Sequence, residues 1–206
     1  MKPVFATWLL LAAGPALTPS PTQVVQVSVE QVVRVVQDVD LARPDAAERR
    51  RQEIRRIVDN LVDFPEMARR SLARHWNGRT AEEHDEFVRL FKAVLEHSFF
   101  GKIENYSGER TVYMGETVDG DIAKVRCKII AARKNEVSVE YRLHVVDSRW
   151  AVYDVLVEGV SIVSSYRAQF DRIIGTTSYA HLIEKMRLKE LELTGLDQNA
   201  LAKDRP

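Results

Sequence analysis

Apolar side chains in the first half of the chain recur three and four positions apart, the spacing that places them on one face of a helix. One helix is predicted within residues 28–43, and a second follows Asp45, its expected N-cap. A short third helix is expected to start near Pro65, and the clearest helix follows the capping-box pair Thr80 and Glu83. The apolar positions that define these helices are Val29, Val32, Val33, Val36 and Val39; Ile54, Ile57, Val58 and Leu61; and Phe87, Leu90, Phe91, Val94, Leu95 and Phe99.

From about residue 108 the apolar positions alternate with polar ones, which is typical of strands with one solvated face. The segments "KVRCKII", "EVSVEYRLHVV" and "RWAVYDVLVEG" each show this alternation, and "RTVYMGET" shows it more weakly. Four consecutive antiparallel strands are therefore predicted. The lysine-bearing polar face of one strand would lie beside the glutamate-bearing face of the next, which favours that pairing.

Helical spacing returns after Gly159, at Val163, Tyr166 and Phe170, and Ser178 is expected to cap a last helix. Helices, then a meander, then helices predict an α+β fold. Its sheet would be curved, four-stranded and antiparallel, with the helices segregated around it.

The N-terminal segment "MKPVFATWLLLAAGPALTPSPTQ" has one lysine, an apolar stretch and then small residues and prolines, the layout of a secretory signal. We expect residues 1–22 to be a signal peptide, 23–194 to be a single domain and 195–206 to be a polar, frayed tail. The alternative is an uncleaved anchor, but the apolar stretch is shorter than the roughly 20 residues that span a bilayer. The mature protein is therefore expected to be exported and soluble.

Charge and residue counts exclude several classes of site. The 30 basic and 30 acidic side chains cancel, so a nucleic-acid partner is not expected. Cys127 is the single cysteine, which excludes an internal disulfide and a CxxC site. The five histidines show no metal-binding spacing, and no phosphate-binding glycine motif occurs, so we expect neither a metal nor a cofactor. The arginine-rich run 49–56 is interpreted as a solvated helix face rather than a partner-binding patch.

Ser161 in "EGVSIV" raises the question of nucleophilic catalysis. A nucleophile elbow needs glycine two residues before and two residues after the serine, but Val163 occupies the second position here. Asp154 and a histidine would have to complete a triad in space. A helix N-cap is the simpler interpretation, and it is worth about 1 kcal/mol. No catalytic residue is predicted.

The chain is rich in aromatic residues for a domain with one sheet. Ordinary core packing accounts for any one of them, but a concave sheet covered by amphipathic helices is also a good way to build an apolar pocket.

Two long segments resemble the MlaC-like family, also called the toluene-tolerance or auxiliary transport family. They are "FPEMARRSLARHWNGRTAEEHDEFVRLFKAVLEHSF" and "WAVYDVLVEGVSIVSSYRAQFDRIIGTTSYAHLIEKM", and the resemblance covers about residues 50–188. Its most specific parts are Tyr153-Asp154, Glu158-Gly159-Val160-Ser161, Trp76 and the helix start at Thr80. The segment "RRSLAR" before Trp76 is more basic than is usual in that family.

The resemblance implies an NTF2-like shape with an interior apolar pocket for two acyl chains. It also implies a periplasmic phospholipid carrier that is not an enzyme and that works between an outer-membrane lipoprotein complex and an inner-membrane ABC transporter complex. A hopanoid-associated lipid-binding role is an alternative within the family. Outside it, the alternatives are a secreted hydrolase using Ser161 and a pocketless adaptor that binds proteins through its basic helix.

Nine residues are predicted, from their faces and positions, to line or approach the pocket. They are Trp76, Tyr106, Val139, Tyr141, Tyr153, Val160, Val163, Tyr166 and Phe170.

Overall fold

The computed structural model describes residues 19–104, 106, 108–130 and 136–188, and at positions 102 and 104 it describes the backbone alone. Short 3₁₀ turns lie at Pro44–Ala46 and Ala73–His75. Within the described range no helix has both the length and the apolar character needed to cross a membrane. The elements in chain order are α1 (Pro21–Gln37), α2 (Ala47–Leu61), α3 (Phe64–Leu72), α4 (Ala81–Glu104), β1 (Arg110–Asp119), β2 (Ile122–Ile130), β3 (Glu136–Val146), β4 (Arg149–Val157), β5 (Val160–Ser161), α5 (Ile162–Thr176) and α6 (Tyr179–Arg187).

The strands form one open antiparallel sheet in the order β1-β2-β3-β4-β5. The α+β class and the four-strand meander are confirmed, but the sheet has a fifth strand that the sequence did not predict. A tight turn at Glu158 (φ 50°) and Gly159 (φ 79°) folds the chain back, so that β5 pairs with Leu156 and Val157. Two residues are too short to show any periodicity, which is why this strand was missed.

The first helix differs from its prediction within residues 28–43. It begins at Pro21 because Ser20 accepts a hydrogen bond from the Gln23 backbone N–H while the Gln23 side chain accepts one from Ser20 N, a complete capping box. It ends at Gln37, so Val39 lies beyond it and is 82% exposed. Residues 21 and 22 of the predicted leader belong to α1.

Residues 1–18 of the predicted leader and the predicted tail at 195–206 lie outside the described residues. The leader, the domain limits and the tail stay predictions.

The predicted N-cap of α2 is wrong: Asp45 lies inside the 3₁₀ turn Pro44–Ala46, and Ala46 stands at the N-cap without a side-chain hydrogen bond. The starts of α3, α4 and α6 agree with the sequence. The Thr80 hydroxyl accepts a hydrogen bond from Glu83 N at 3.2 Å, and a Glu83 carboxylate oxygen accepts one from Thr80 N at 2.9 Å, which confirms the capping box before α4. Ser178 accepts from His181 N and caps α6. These caps fix where α4 and α6 begin.

The apolar interior has two parts. The first, which we call the helical core, is built from α3, α4, α5 and α6. The second lies between the sheet and the two helices α1 and α2, and includes Val25, Leu61, Val125, Leu143 and Val152. Val62 and Val155 contact both parts, so the interior is continuous.

Candidate functional site

One face of the sheet, which we call the inner face, is apolar because β2 and β3 alternate strictly. Along β2 the side chains of Ala123, Val125 and Cys127 are buried, whereas Lys124 and Arg126 between them are exposed. The register places Cys127 opposite both Tyr113 of β1 and Val139 of β3. A buried cluster of Cys127, Val137 and Val139 results, and half-buried neighbours surround it: Tyr113, Ile129, Tyr141, Val155 and Val157.

Burial shifts the pKa of three titratable groups on the inner face further above neutrality, those of Cys127, Tyr113 and Tyr141. Burial raises the pKa of the Cys127 thiol to about 11. Burial is also the main cause that raises the pKa of Tyr113 and of Tyr141 well above the usual range, and the neighbouring Cys127 adds to it. An uncharged, mostly apolar surface of this kind suits a ligand with hydrocarbon chains.

Four of the predicted pocket residues lie in or against the helical core rather than on the inner face. Val163, Tyr166 and Phe170 are buried there, and Trp76 packs against them from outside. The Tyr166 and Phe170 rings meet Phe91 edge-on at 5.1 and 5.6 Å between centroids. These residues pack mainly among α3, α4 and α6, and Val155 and Val157 of β4 contact the same core from the sheet. Periodicity identifies an apolar face and not the neighbour that covers it.

The other five predicted residues are spread over the molecule. Val139 and Tyr141 lie together on the inner face. Tyr106 is half-buried and donates a hydrogen bond to the Glu109 carbonyl oxygen at 2.6 Å. Val160 is in β5 and is 37% exposed.

Tyr153, the last of the five, lies at an irregularity in the pairing of β3 with β4. Its ring contacts the guanidinium of Arg70 at 4.0 Å and the ring of His144 edge-on. Since His144 alternates with Leu143 along β3, these contacts lie away from the inner face.

The sequence missed Tyr113, Val155 and Val157, which share the inner face with Tyr141. The alternation of β1 is interrupted by a bulge between Tyr113 and Gly115, so the side on which Tyr113 lies could not be read from spacing alone. Val155 and Val157 lie two residues apart, on the same side of β4. This two-residue spacing was the signal in the sequence that could have identified them as inner-face residues.

The Ser161 hydroxyl donates a hydrogen bond to Asp154 at 2.7 Å and accepts one from Ser164 N at 3.0 Å. This confirms the N-cap of α5. The structure gives polar partners for four histidines, and none of these partners is Ser161 or Asp154. The pairs are His75 with Asp171, His84 with the Trp76 carbonyl oxygen, His144 with Asp63 and His181 with Glu184. Serine bonded directly to aspartate, without an imidazole between them, is not the arrangement of a catalytic triad.

A separate cavity of about 410 Å³ opens between α2, α3, α4 and the β3–β4 hairpin. Four of its eight lining residues are charged and four are apolar, and Lys92 is paired to Asp59 at 2.6 Å. Arg149 donates to the Asn60 carbonyl oxygen at 2.9 Å beside it. The four charged residues distinguish this cavity from the apolar pocket that the sequence predicts. Among the described residues there is no group of three or more side chains placed to hold a metal ion.

A family model, that of the MlaC protein, matches residues 26–188. The chain belongs to the MlaC family. The match begins within α1 and ends just after α6, so it spans the sheet and both parts of the interior.

A solved structure shares this MlaC fold. It is a phospholipid-binding protein from Ralstonia solanacearum in complex with a phospholipid, with a TM-score of 0.69 and 21% sequence identity. The alignment covers 81% of this chain and 94% of that one. No curated protein matches the chain in sequence.

Proposed function

We propose that this MlaC family member is a phospholipid carrier that holds acyl chains against the inner face of its sheet. One observation carries the proposal: the uncharged, apolar inner face belongs to a fold shared with a protein that binds a phospholipid. In the proposed complex the acyl chains lie in an apolar, NTF2-like pocket between sheet and helices, and the headgroup remains at the mouth.

The physical need for such a carrier follows from the cost of exposing hydrocarbon to water. Each methylene contributes about 0.8 kcal/mol, so two acyl chains in water cost on the order of 20 kcal/mol. A protein that replaces the bilayer around these chains lowers the barrier to crossing an aqueous compartment. The same energy keeps the lipid bound, so loading and release require a partner that favours an open state.

We further propose that the protein works in the periplasm after its signal peptide is removed. It would exchange lipid with an inner-membrane ABC transporter complex and an outer-membrane lipoprotein complex. The supports are the family membership and the secretory layout of the N-terminal sequence. Catalysis is not part of this proposal, since the serine that suggested it caps a helix.

Adjacent residues of β3 provide a matched test of the site. Val139 is buried on the inner face, whereas Ser138 is exposed on the opposite face. Val139→Glu should lower the phospholipid recovered from the purified protein by about tenfold or more, since a carboxylate there must be desolvated beside the acyl chains. Ser138→Glu should leave recovery unchanged.

Thermal unfolding of both variants controls for loss of fold, and Ile129→Glu is a second variant at a half-buried inner-face position. Full lipid recovery from folded Val139→Glu and Ile129→Glu proteins would contradict the assignment of the lipid to the inner face.

A further inference from the structure

The hydroxyl oxygen of Tyr113 is buried on the inner face and has no hydrogen-bond partner among the described residues. Three other tyrosines differ in this respect. Tyr106 donates to the Glu109 carbonyl, Tyr166 is bonded to Ser98, and Tyr179 donates to the Glu83 carbonyl. A buried polar group without a partner costs about 1–3 kcal/mol, and phenylalanine would fill the same space without that cost.

Tyr113 stands where the two inner-face clusters meet. It contacts the cluster that contains Val125 and the cluster that contains Cys127. The residues that pair with it and flank it on β2 and β3 are Cys127, Val125, Val139 and Tyr141, none of which is charged at neutral pH. The ring therefore brings a single polar atom into a hydrocarbon surface.

The protonation state of Tyr113 makes it a hydrogen-bond donor. Burial raises its pKa far above neutrality, and the neighbouring Cys127 and Glu30 of α1 raise it further. A phenol in this state keeps its proton at all physiological pH values and can donate a hydrogen bond to an acceptor.

We propose that the Tyr113 hydroxyl donates a hydrogen bond to an ester carbonyl oxygen of the bound lipid, and so fixes how deeply the acyl chains enter. The inference rests on the proposed function. An ester carbonyl is a neutral acceptor at the head of an acyl chain, which suits an apolar surface. A phosphate would need cations, whereas the charged side chain whose field acts on Tyr113 is the carboxylate of Glu30.

The test compares a diacyl phosphatidylcholine with a dialkyl ether phosphatidylcholine of the same chain length, which lacks both ester carbonyls. The natural protein, freed of lipid and reloaded, should bind the diacyl lipid about fivefold more tightly, the factor that corresponds to about 1 kcal/mol. Tyr113→Phe should bind both lipids equally. Its lipid-free form should unfold at the same temperature or a higher one, because only an unpartnered hydroxyl is removed.

Tyr179→Phe is the matched control, since it removes a bonded hydroxyl from α6. It should keep the preference for the diacyl lipid. Equal binding of the two lipids by the natural protein, or a preference that survives in Tyr113→Phe, would overturn the inference and leave the carrier proposal standing. If a folded protein binds neither lipid, the carrier proposal fails and the inference fails with it.

Discussion

Asp154, in the middle of β4, is only 3% exposed, and it holds the start of α5 through two hydrogen bonds. Its carboxylate accepts from the Ser161 hydroxyl at 2.7 Å and from the Val163 backbone N–H at 3.1 Å. The Arg142 guanidinium lies 3.6 Å away. Asp154 of β4 and Ser161, the N-cap of α5, are thus hydrogen-bonded across the turn at Gly159. This structural role explains why a serine occupies the position where a nucleophile was considered.

Ser161→Ala should lower the free energy of unfolding by about 1 kcal/mol, the usual cost of losing a cap. Asp154→Ala should cost more, about 2–4 kcal/mol, because it leaves buried donors without an acceptor. Urea denaturation measures both changes. A Ser161→Ala protein of unaltered stability that had lost an ester-hydrolysing activity would support catalysis instead.

The sequence predicted the roles of some single residues and not of others. The cap at Ser161 could be predicted because a serine stood between a strand pattern and a helix pattern. The buried partner Asp154 could not, since alternation gives the side of a strand but not what packs against it. The bulge beside Tyr113 meant that alternation did not show on which side of β1 it lies. The irregular pairing of β4 did the same for Tyr153.

At the scale of elements, α1 shows that capping residues determine where a helix begins. Eight of its 17 residues are valine, which forms helices less readily than alanine or leucine. Its first turn is therefore stabilised by hydrogen bonds to groups outside the helix. The Ser20–Gln23 capping box closes the N-terminus, and Glu116 of β1 accepts a hydrogen bond from Thr22 N at 2.7 Å. The predicted helix began too late because its spacing was followed from Val29 onward and the capping residue Ser20 fell within the predicted signal peptide.

Ser20→Ala should loosen α1 without loosening the rest of the molecule, because the lost hydrogen bond serves that helix alone. Amide hydrogen exchange in the first turns of α1 should accelerate about fivefold, which corresponds to about 1 kcal/mol. Ser178→Ala, which removes the cap of α6, is the matched control and should accelerate exchange in α6 only. Equal exchange in α1 with and without the Ser20 hydroxyl would contradict this role for the cap.

The strands β1 to β4 were predictable because an alternating pattern and the tight turns between its segments leave few other pairings. The predicted charge pairing between neighbouring polar faces is also observed. Arg126 stands opposite Glu140 in the register, and Lys128 bonds Glu136 at 2.7 Å. The two-residue strand β5 had no such pattern, so only the folded chain reveals it.

At the scale of the whole molecule, the interior divides between a helical core and the inner face of the sheet. The sequence predicted the apolar and aromatic residues of both and assigned them to one pocket. Which apolar surfaces pack against each other depends on how the helices cross, and spacing along a chain carries no information on that. Tyr166 and Phe170 pack within the helical core, which leaves Val139, Tyr141 and Tyr113 on the inner face as the sharper candidates for contact with lipid.

Native mass spectrometry of the protein, purified without detergent and followed by extraction of the bound molecule, tests the central claim most directly. The account predicts a mass above that of the polypeptide by one phospholipid, which organic extraction releases and identifies. Added phospholipid vesicles should restore this mass to a protein that has been stripped of lipid. A folded protein that carries the polypeptide mass alone, before and after incubation with vesicles, would contradict the account.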